Sequence, residues 1–467
     1  MKTIFVTLPI GLTVRNLLFT GVLNKVISQG DVRVVAFTPV LDLADRYSET
    51  EDHLIFEPLP PRNRYRLTGL LNHILNFRFK RLIDDPSLTS LRLKRRWLRE
   101  VRPKQWLFES ILAQPFPKSR LIYRILSAVH DRRLGVSKEI PKLFDQYKPS
   151  MMFATNPTVM FEHDFLKFAK RTGVPTVGMI HSWDDLTTEG RIVVPVDRYF
   201  VWNELMKGEL IKLHGASEEQ ISVTGIPQFD PYADVLSPCD KEQFLIGQDL
   251  DPGKLTVLFA TSAGGDTPEE PEILELMVLA LNKAHSGDIQ FLVRVHRRDD
   301  VGRYAAINQP NVRFQVPGAQ IAHLDDQRLM EQSDLLLLRD TLSFTDVLVN
   351  TASTISIDAA ALDKPVVNIK FDLHEKDYIH SVRRYFDMVH YKPFIGSQAT
   401  KIATSFDEML AFIQRYLKDP TLEREQRANL AETMCYKVDG KSAERIASFL
   451  LAALDSELSN PEATTAG

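Results

Sequence analysis

The residues best equipped for proton transfer lie in the run His181-Ser182-Trp183-Asp184-Asp185-Leu186-Thr187-Thr188. An imidazole titrates near neutral pH, so His181, or one of the carboxylates Asp184 and Asp185, can take the proton of an attacking hydroxyl. Neighbouring side chains of an extended chain point to opposite sides, so at most one of the two carboxylates serves. A polar loop plugged by Trp183 accounts for the same residues without catalysis. Asn203 and Gln228 close other strands nearby and are weaker candidates, and His163 and Asp164 suit a helix start.

A second set of residues suits anions. Thr261-Ser262-Ala263-Gly264-Gly265 leaves a strand and leads to a helix, where backbone N–H groups and the positive helix end can receive a phosphate or a sugar hydroxyl. The loop is neither a full G-x-G-x-x-G nor a P-loop, and a plain strand-to-helix turn fits it equally. In Val293-Arg294-Val295-His296-Arg297-Arg298, strand alternation puts Arg294 and His296 on one face. A guanidinium fork and an imidazole there would suit a pyrophosphate, and a surface cluster balanced by Asp299 and Asp300 is the other account. Asn350-Thr351-Ala352-Ser353-Thr354-Ile355-Ser356-Ile357-Asp358 joins a strand to a helix. Ser353 or Thr354 can cap it, leaving first-turn amides open to an anion, while Asp358 can take a ribose or sugar hydroxyl. No Asp-x-Asp stands at a strand end, and no metal site is expected.

The elements that must position these groups alternate. Thr3–Leu8, Val32–Phe37, Met151–Ala154, Thr176–Ile180, Arg198–Trp202 and Ile221–Thr224 read as short apolar strands, with helices such as Leu12–Val26, Phe161–Arg171 and Glu204–Leu213 between them. Residues 231–254 break the pattern and read as a connection. A second alternation follows: strands Leu255–Ala260, Ile289–Val295, Val312–Val316, Leu335–Leu338, Val347–Val349 and Pro365–Ile369, with helices Glu272–His285, Leu329–Gln332 and Ser353–Leu362. The tail Lys401–Ser456 reads as helical, broken at Asp419-Pro420 and again at Gly440. Near-continuous apolar strands covered by helices imply an α/β fold of two doubly wound, Rossmann-like parallel sheets in tandem.

Length and composition bound the rest. At 467 residues and 53.2 kDa the chain suits two or three domains of about 100–200 residues each. With 57 Lys+Arg against 61 Asp+Glu the net charge is -4, so the molecule as a whole binds no polyanion and no nucleic-acid partner is expected. Two distant cysteines, Cys239 and Cys435, argue against a disulfide scaffold and for a reduced, cytoplasmic setting. The apolar N-terminus reads as a first strand rather than a signal peptide, and no run is long enough to span a bilayer. Residues 60–135 show no strand alternation. They are basic and helical, with ten Lys/Arg against three Asp/Glu between Arg78 and Lys104, and Leu91, Leu93, Trp97, Leu98 and Trp106 interleaved. A solvated helical insert is one account; contact with an anionic membrane surface or a polyanionic acceptor through 78–104 is another, and nucleic acid a third and weaker one.

The tandem halves, the run Val223-Thr224-Gly225-Ile226-Pro227-Gln228-Phe229-Asp230, and Asp346-Val347-Leu348-Val349-Asn350-Thr351-Ala352-Ser353-Thr354 followed by Asp363-Lys364-Pro365-Val366-Val367 resemble the GT-B glycosyltransferases. Within them the chain is most similar to the CDP-glycerol glycerophosphotransferase and surface-polysaccharide transferase group, over roughly 1–58 and 140–455. It departs from that group's usual Thr-Asp-Tyr-Ser-Ser at Asn350–Thr354, which lacks the acid and the aromatic. The resemblance implies two domains facing across a cleft that closes over the donor. The acceptor domain would be 1–235 with the insert at about 60–135, the nucleotide-donor domain 250–440, and the C-terminal helix and tail 441–467 would pack back on the first. It implies a metal-independent glycosyl or polyol-phosphate transferase with no cofactor beyond its nucleotide-activated co-substrate. The acceptor would be a saccharide or a lipid-linked glycan in surface polysaccharide or glycolipid biosynthesis. Donor contacts would fall to Ser262, Gly264, Gly265, Arg294, His296, Ser353, Thr354 and Asp358, and the base to His181, Asp184 or Asp185. Val295-His296-Arg297-Arg298-Asp299 also resembles the signature of the UDP-sugar 2-epimerases, though here it follows the second strand of the C-terminal half. A catalytically silent nucleotide-sugar-binding protein is the third expectation.

Overall fold

The computed structural model describes residues 1–40, 43, 53–61, 75, 89–113, 125, 127, 136–158, 161–189, 191–233, 240–264, 267–320 and 328–456. The chain divides into two compact units, one formed by Met1–Pro227 with the segment from Lys441 onward, the other by Gln228–Gly440.

The first unit is built on a seven-stranded parallel sheet: β1 (Lys2–Thr7), β2 (Val32–Thr38), β3 (Leu54–Pro58), β4 (Met151–Ala154), β5 (Thr176–Met179), β6 (Arg198–Val201) and β7 (Ile221–Val223). Their order is β3-β2-β1-β4-β5-β6-β7, with Ile4 opposite Val34 on one side and Met151 on the other. The winding reverses between β1 and β4, which makes the carboxyl ends of those two strands a switch point. The central strands are buried on both faces, which is why their sequences run apolar without alternation. Phe5 is the hub of one face, with ring centroids 4.9 Å from Phe37 and 5.0 Å from Phe144, and each such buried ring contributes about 1.5–3 kcal/mol. The last helix, Ser442–Ser456, packs on helix Val22–Gln29, and Arg445 Nε donates to the Thr224 carbonyl at 2.8 Å.

The second unit holds six parallel strands: β8 (Leu255–Ala260), β9 (Ile289–Arg294), β10 (Val312–Gln315), β13 (Val347–Thr351), β14 (Val366–Ile369) and β15 (Lys401–Ala403), ordered β10-β9-β8-β13-β14-β15. A separate antiparallel pair is formed by β11 (Ala319–Gln320) and β12 (Arg328–Leu329). One face of the sheet packs Phe259, Phe291 and Val349 against helices Glu270–His285 and Phe406–Lys418. The other packs Leu258, Leu292 and Leu348 against Leu245, Leu342 and Ala359.

Several details differ from expectation. Strand Leu54–Pro58 was not anticipated, and residues 231–254, read as a connection, belong to the second unit and carry helix Lys241–Gly247, whose Phe244 and Leu245 pack in that unit's core. Leu335–Leu338 is not a strand but lies inside helix Gln332–Phe344. Leucine is a good helix former without a β-branch, and burial of Leu335, Arg339 and Leu342 follows a helical repeat. The same helix takes over the end of the expected Leu329–Gln332 helix, whose first residue instead closes β12. The tail begins not with a helix but with the edge strand Lys401–Ala403, too short for its sequence to announce. In the basic insert, the described residues include helices Thr89–Val101 and Pro103–Ala113; most of the remainder lies outside them.

Candidate functional site

In the first unit the polar groups collect at the carboxyl ends of β1, β4 and β5. Glu162 takes the N-cap position of helix His163–Arg171 without a side-chain cap bond and turns its fully buried carboxyl group inward. It accepts from the Thr7 hydroxyl at 2.6 Å, the Thr155 amide at 3.0 Å, the Asn156 amide at 2.9 Å and the Thr155 hydroxyl at 3.3 Å. It therefore ties the two strands of the switch point together. Burial pushes its pKa up to about 7 even though these donors pull the other way.

Next to this knot lies His181, immediately beyond β5. Its Nδ1 is 2.8 Å from Asp185 Oδ2 and 2.8 Å from Asn156 Nδ2. The ionised carboxylate can only accept, so we assign the Nδ1 proton to the Asp185 bond, which leaves the lone pair on Nε2. Burial alone would lower the imidazole pKa, but the charge and hydrogen bond of Asp185 outweigh it and raise it. Asp185 in turn is raised by its own burial. Side-chain exposures of 9% for His181 and 6% for Asp185 explain why each feels the other strongly.

The adjacent Asp184 goes elsewhere. Its Oδ1 accepts from Ser182 Oγ at 2.5 Å and its Oδ2 from Thr188 Oγ1 at 3.1 Å. Trp183 is buried beside them. Glu209 is pushed up to about 7, by burial first and then by the charge of Asp184. His214 donates from Nε2 to the Leu186 carbonyl at 2.9 Å, and burial lowers its pKa to about 4, so it holds the short helix Asp185–Thr188 as a neutral ring. Asn203 accepts from the Met206 amide at 3.0 Å, capping helix Glu204–Glu209.

In the second unit the loop after β8 surrounds a carboxyl group of the protein's own. Glu270, the first residue of helix Glu270–His285 and 1% exposed, accepts from the Ser262 amide at 2.9 Å, the Ser262 hydroxyl at 2.7 Å and the Thr351 hydroxyl at 3.3 Å. Burial raises its pKa against the Ser262 bonds. Gly264 passes so close to Asp299 that a Cβ would lie 2.5 Å from Oδ1. Asp299 is fixed there by Arg303 Nη1 at 2.6 Å and the Tyr304 hydroxyl at 2.8 Å. Gly265 lies outside the described residues.

Arg294 and His296, expected to converge, take different hydrogen-bond partners. β9 ends at Arg294, and the Val295 amide still donates to the Gln315 carbonyl at 2.9 Å. Arg294, 6% exposed, donates to Gln315 Oε1, and Gln315 Nε2 continues to Gln248 at 2.8 Å and Thr341 at 3.1 Å. His296 stays in the loop, its amide on Thr261 Oγ1 at 2.9 Å and its Nδ1 accepting from the Arg298 amide at 3.1 Å. Thr354 takes the N-cap position of helix Ile355–Ala361 without a side-chain cap bond, and Ser353 precedes it half-buried. Asp358 is buried and accepts from the Tyr232 hydroxyl at 2.7 Å.

Several residues of the resemblance turn out to be struts. Asn350, Ser356 and Asn368 form a buried triangle with bonds of 2.7–3.2 Å that locks β13, β14 and the following helix. Lys364 donates to the carbonyls of Ser343 and Thr345, closing the end of helix Gln332–Phe344; burial lowers its pKa to about 8. Glu162, Asn156 and Glu270 were missed from sequence, and Asp299 was read only as a counter-charge to the arginines. Asn156 ends a strand at the same sheet edge as His181, a signal that was there to use. The two glutamates open helices, which acidic residues commonly do, and nothing in the sequence says that they turn inward.

Solved structures match almost end to end. Staphylococcus aureus MnaA with UDP gives a TM-score of 0.55 at 12% identity over 97% of each chain. A glycosyltransferase from Rickettsia africae gives 0.53 at 10%, covering 98% of this chain and 99% of that one. UDP-GlcNAc 2-epimerase from Neisseria meningitidis bound to UDP-GlcNAc gives 0.52 at 13%, covering 97% and 100%. No curated protein matches the chain. Two parallel-sheet α/β units of this kind make the fold GT-B. Residues 184–452, more than half the chain, match the CDP-Glycerol:Poly(glycerophosphate) glycerophosphotransferase family, and the chain belongs to it. It is an enzyme of the glycosyltransferase kind.

Proposed function

We propose that the protein transfers a glycosyl or polyol-phosphate group from a nucleotide-activated donor to a hydroxyl of a saccharide or lipid-linked acceptor, in surface polysaccharide or glycolipid synthesis. The observation that carries the proposal is the His181–Asp185 pair at 2.8 Å, set at a sheet edge in a chain of this family. His181 Nε2 accepts the proton of the acceptor hydroxyl as its oxygen bonds to the sugar carbon or phosphorus. The bond to the nucleotide phosphate breaks in the same step, and the electron pair leaves with the nucleotide. Asp185 stabilises the imidazolium that results and holds the ring through its Nδ1 proton.

The second unit holds the donor. Ser262 and Gly264 border the nucleotide, His296 and the hydroxyls of Ser353 and Thr354 meet the phosphates, and the buried charge of Arg294 favours the leaving anion from beneath. Amides and cationic side chains in this role would make a divalent cation unnecessary. The protein would act in the cytoplasm, at the inner face of a membrane. No helix among the described residues is long and apolar enough to cross one.

The test supplies UDP-, GDP-, CMP- and CDP-activated donors with candidate acceptors in EDTA and follows nucleotide release. Acceptor-dependent release that His181→Ala abolishes, with nucleotide affinity kept, is the expected result. Interconversion of two UDP-sugars would instead make the protein an epimerase, and tight binding without turnover a silent binder.

A further inference from the structure

We infer that His214 is a positioning residue for the His181–Asp185 pair: from the π-turn Leu210–His214 it holds the one-turn helix that carries Asp185, and so keeps that carboxyl against the imidazole. The inference rests on the reading of His181 as the base and adds the group that fixes the base's partner.

Helix Asp185–Thr188 needs outside support, because four residues are too few for a helix to stand alone. The Asp184 carbonyl accepts from the Thr187 and Thr188 amides, both at 3.0 Å, and the Asp185 carbonyl from the Glu189 amide at 3.0 Å. The next carbonyl, that of Leu186, is met from another element, by His214 Nε2 at 2.9 Å. Leu186 has no exposure, and a buried carbonyl deprived of its donor is costly.

The reach comes from the backbone. The Gly215 amide donates to the Leu210 carbonyl, five residues back, so the turn is wider than an α-helical one and moves the side chains after it round the axis. Leu210 and Leu213 are buried and fix the turn, which packs against helix Asp185–Thr188. Gly215 ends it at a φ of 75°, with nothing within 4 Å of where a Cβ would stand, so the glycine is there for its backbone. Such turns are rare and gather at functional sites.

Histidine suits the place because its proton is fixed. Burial lowers the pKa of His214 to about 4, so its Nε2–H bond persists through the range in which His181 titrates. Any effect of replacing it on that range passes through other groups. Around His181, burial opposes the imidazolium, while Asp185 supports it most, followed by Asp184 and Glu162. Glu209, just ahead of the π-turn, is pushed up to about 7 by burial and by the charge of Asp184. Asp185 is the neighbour of Leu186, so a released helix lets its carboxyl draw back and leaves burial less opposed.

The experiment labels the histidines of the full-length protein with carbon-13 and follows their titration by NMR, the His181 signal being the one lost in His181→Ala. His214→Phe keeps a ring and removes the donor. Its His181 pKa should fall by about one pH unit, and kcat with the nucleotide-activated donor should fall about tenfold with KM for that donor within about twofold of wild type. His214→Gln returns an N–H to the place of Nε2; it should restore the pKa and bring kcat to within about threefold of wild type. His214→Asn, whose amide stops short of Leu186, should behave as the Phe variant does and serves if that variant fails to fold. Glu209→Gln in both backgrounds should leave the difference in place. A Phe or Asn variant whose His181 titrates as in wild type, a Gln variant as impaired as the Phe one, or a difference that vanishes with Glu209→Gln would each overturn the inference. A pKa that moves as expected in a protein inactive with every donor would uphold the hold on Asp185 and overturn the transfer reading alone.

Discussion

Arg427→Met tests whether the Asp363-Lys364-Pro365 turn is structural. The Arg427 side chain has no exposure and forms bonds at 2.7 and 2.9 Å to Asp363 Oδ1, at 3.0 Å to the Pro420 carbonyl and at 2.5 Å to the Leu422 carbonyl. It thereby fastens the turn ahead of β14 to the loop before helix Arg424–Cys435 and to that helix itself. Methionine fills much of the same space and relieves the cost of burying a charge, which by itself would make the change neutral or stabilising. Against that, two carbonyls lose a charged donor and Asp363 loses its buried partner; charge-assisted bonds contribute about 1.5–3 kcal/mol each. Asp363 is 43% exposed and keeps Arg424 Nε at 2.7 Å, so water and that arginine recover most of its share. The expected net loss is about 2–3 kcal/mol, or a fall of roughly 5–10 °C in the melting of a unit this size. Calorimetry and urea unfolding of both proteins measure it. A loss below about 1 kcal/mol, or a gain in stability, would show that the arginine is merely tolerated there.

Asp185→Asn removes the charge that raises the His181 pKa and should slow transfer by about 100- to 10,000-fold. The acid limb of the kcat/KM profile should move to lower pH, because burial then acts against only the charges of Asp184 and Glu162; an unmoved limb with a rate within a few-fold of wild type contradicts the pairing. Glu162 predicts a pH dependence of folding. Its folded pKa of about 7 lies above the ordinary 4.5, so its contribution is full below 4.5 and is lost as pH rises through 7. The loss is on the order of 3 kcal/mol. Denaturation at pH 5 and pH 8 should show wild type losing ground to Glu162→Gln, and an equal gap at both pH values would refute it. Gly264→Ala should destabilise the second unit by about 1–3 kcal/mol, because Asp299 is pinned and cannot retreat from a new methyl; a melting temperature equal to wild type would show that the loop gives way instead.

Much of the architecture was legible because buried parallel strands write themselves as apolar runs. β4 and β8 were readable to the residue, whereas β3, helix Lys241–Gly247 and the edge strand β15 were not. Leu335–Leu338 shows the limit: four leucines are apolar in any conformation, and only the packing of Leu335, Arg339 and Leu342 on one side makes them helical. The chemistry-bearing loops were equally visible, since polar residues at strand ends mark the edge where such sheets bind ligands.

What the sequence by itself determined was the alternation of strands and helices, the edge at which polar groups collect, and the candidate residues His181, Asp184 and Asp185. Only the tertiary structure decided their partners: Asp185 on His181 and Asp184 on Ser182 and Thr188, Arg294 turned to Gln315, and Glu162 and Glu270 buried at the switch points. The physical reason is range. Burial and periodicity act between neighbours in the chain and leave their mark on local spacing. Hydrogen bonds and desolvation at the site join residues such as Thr7 and Glu162, or Glu270 and Thr351, that meet only once the sheet is assembled.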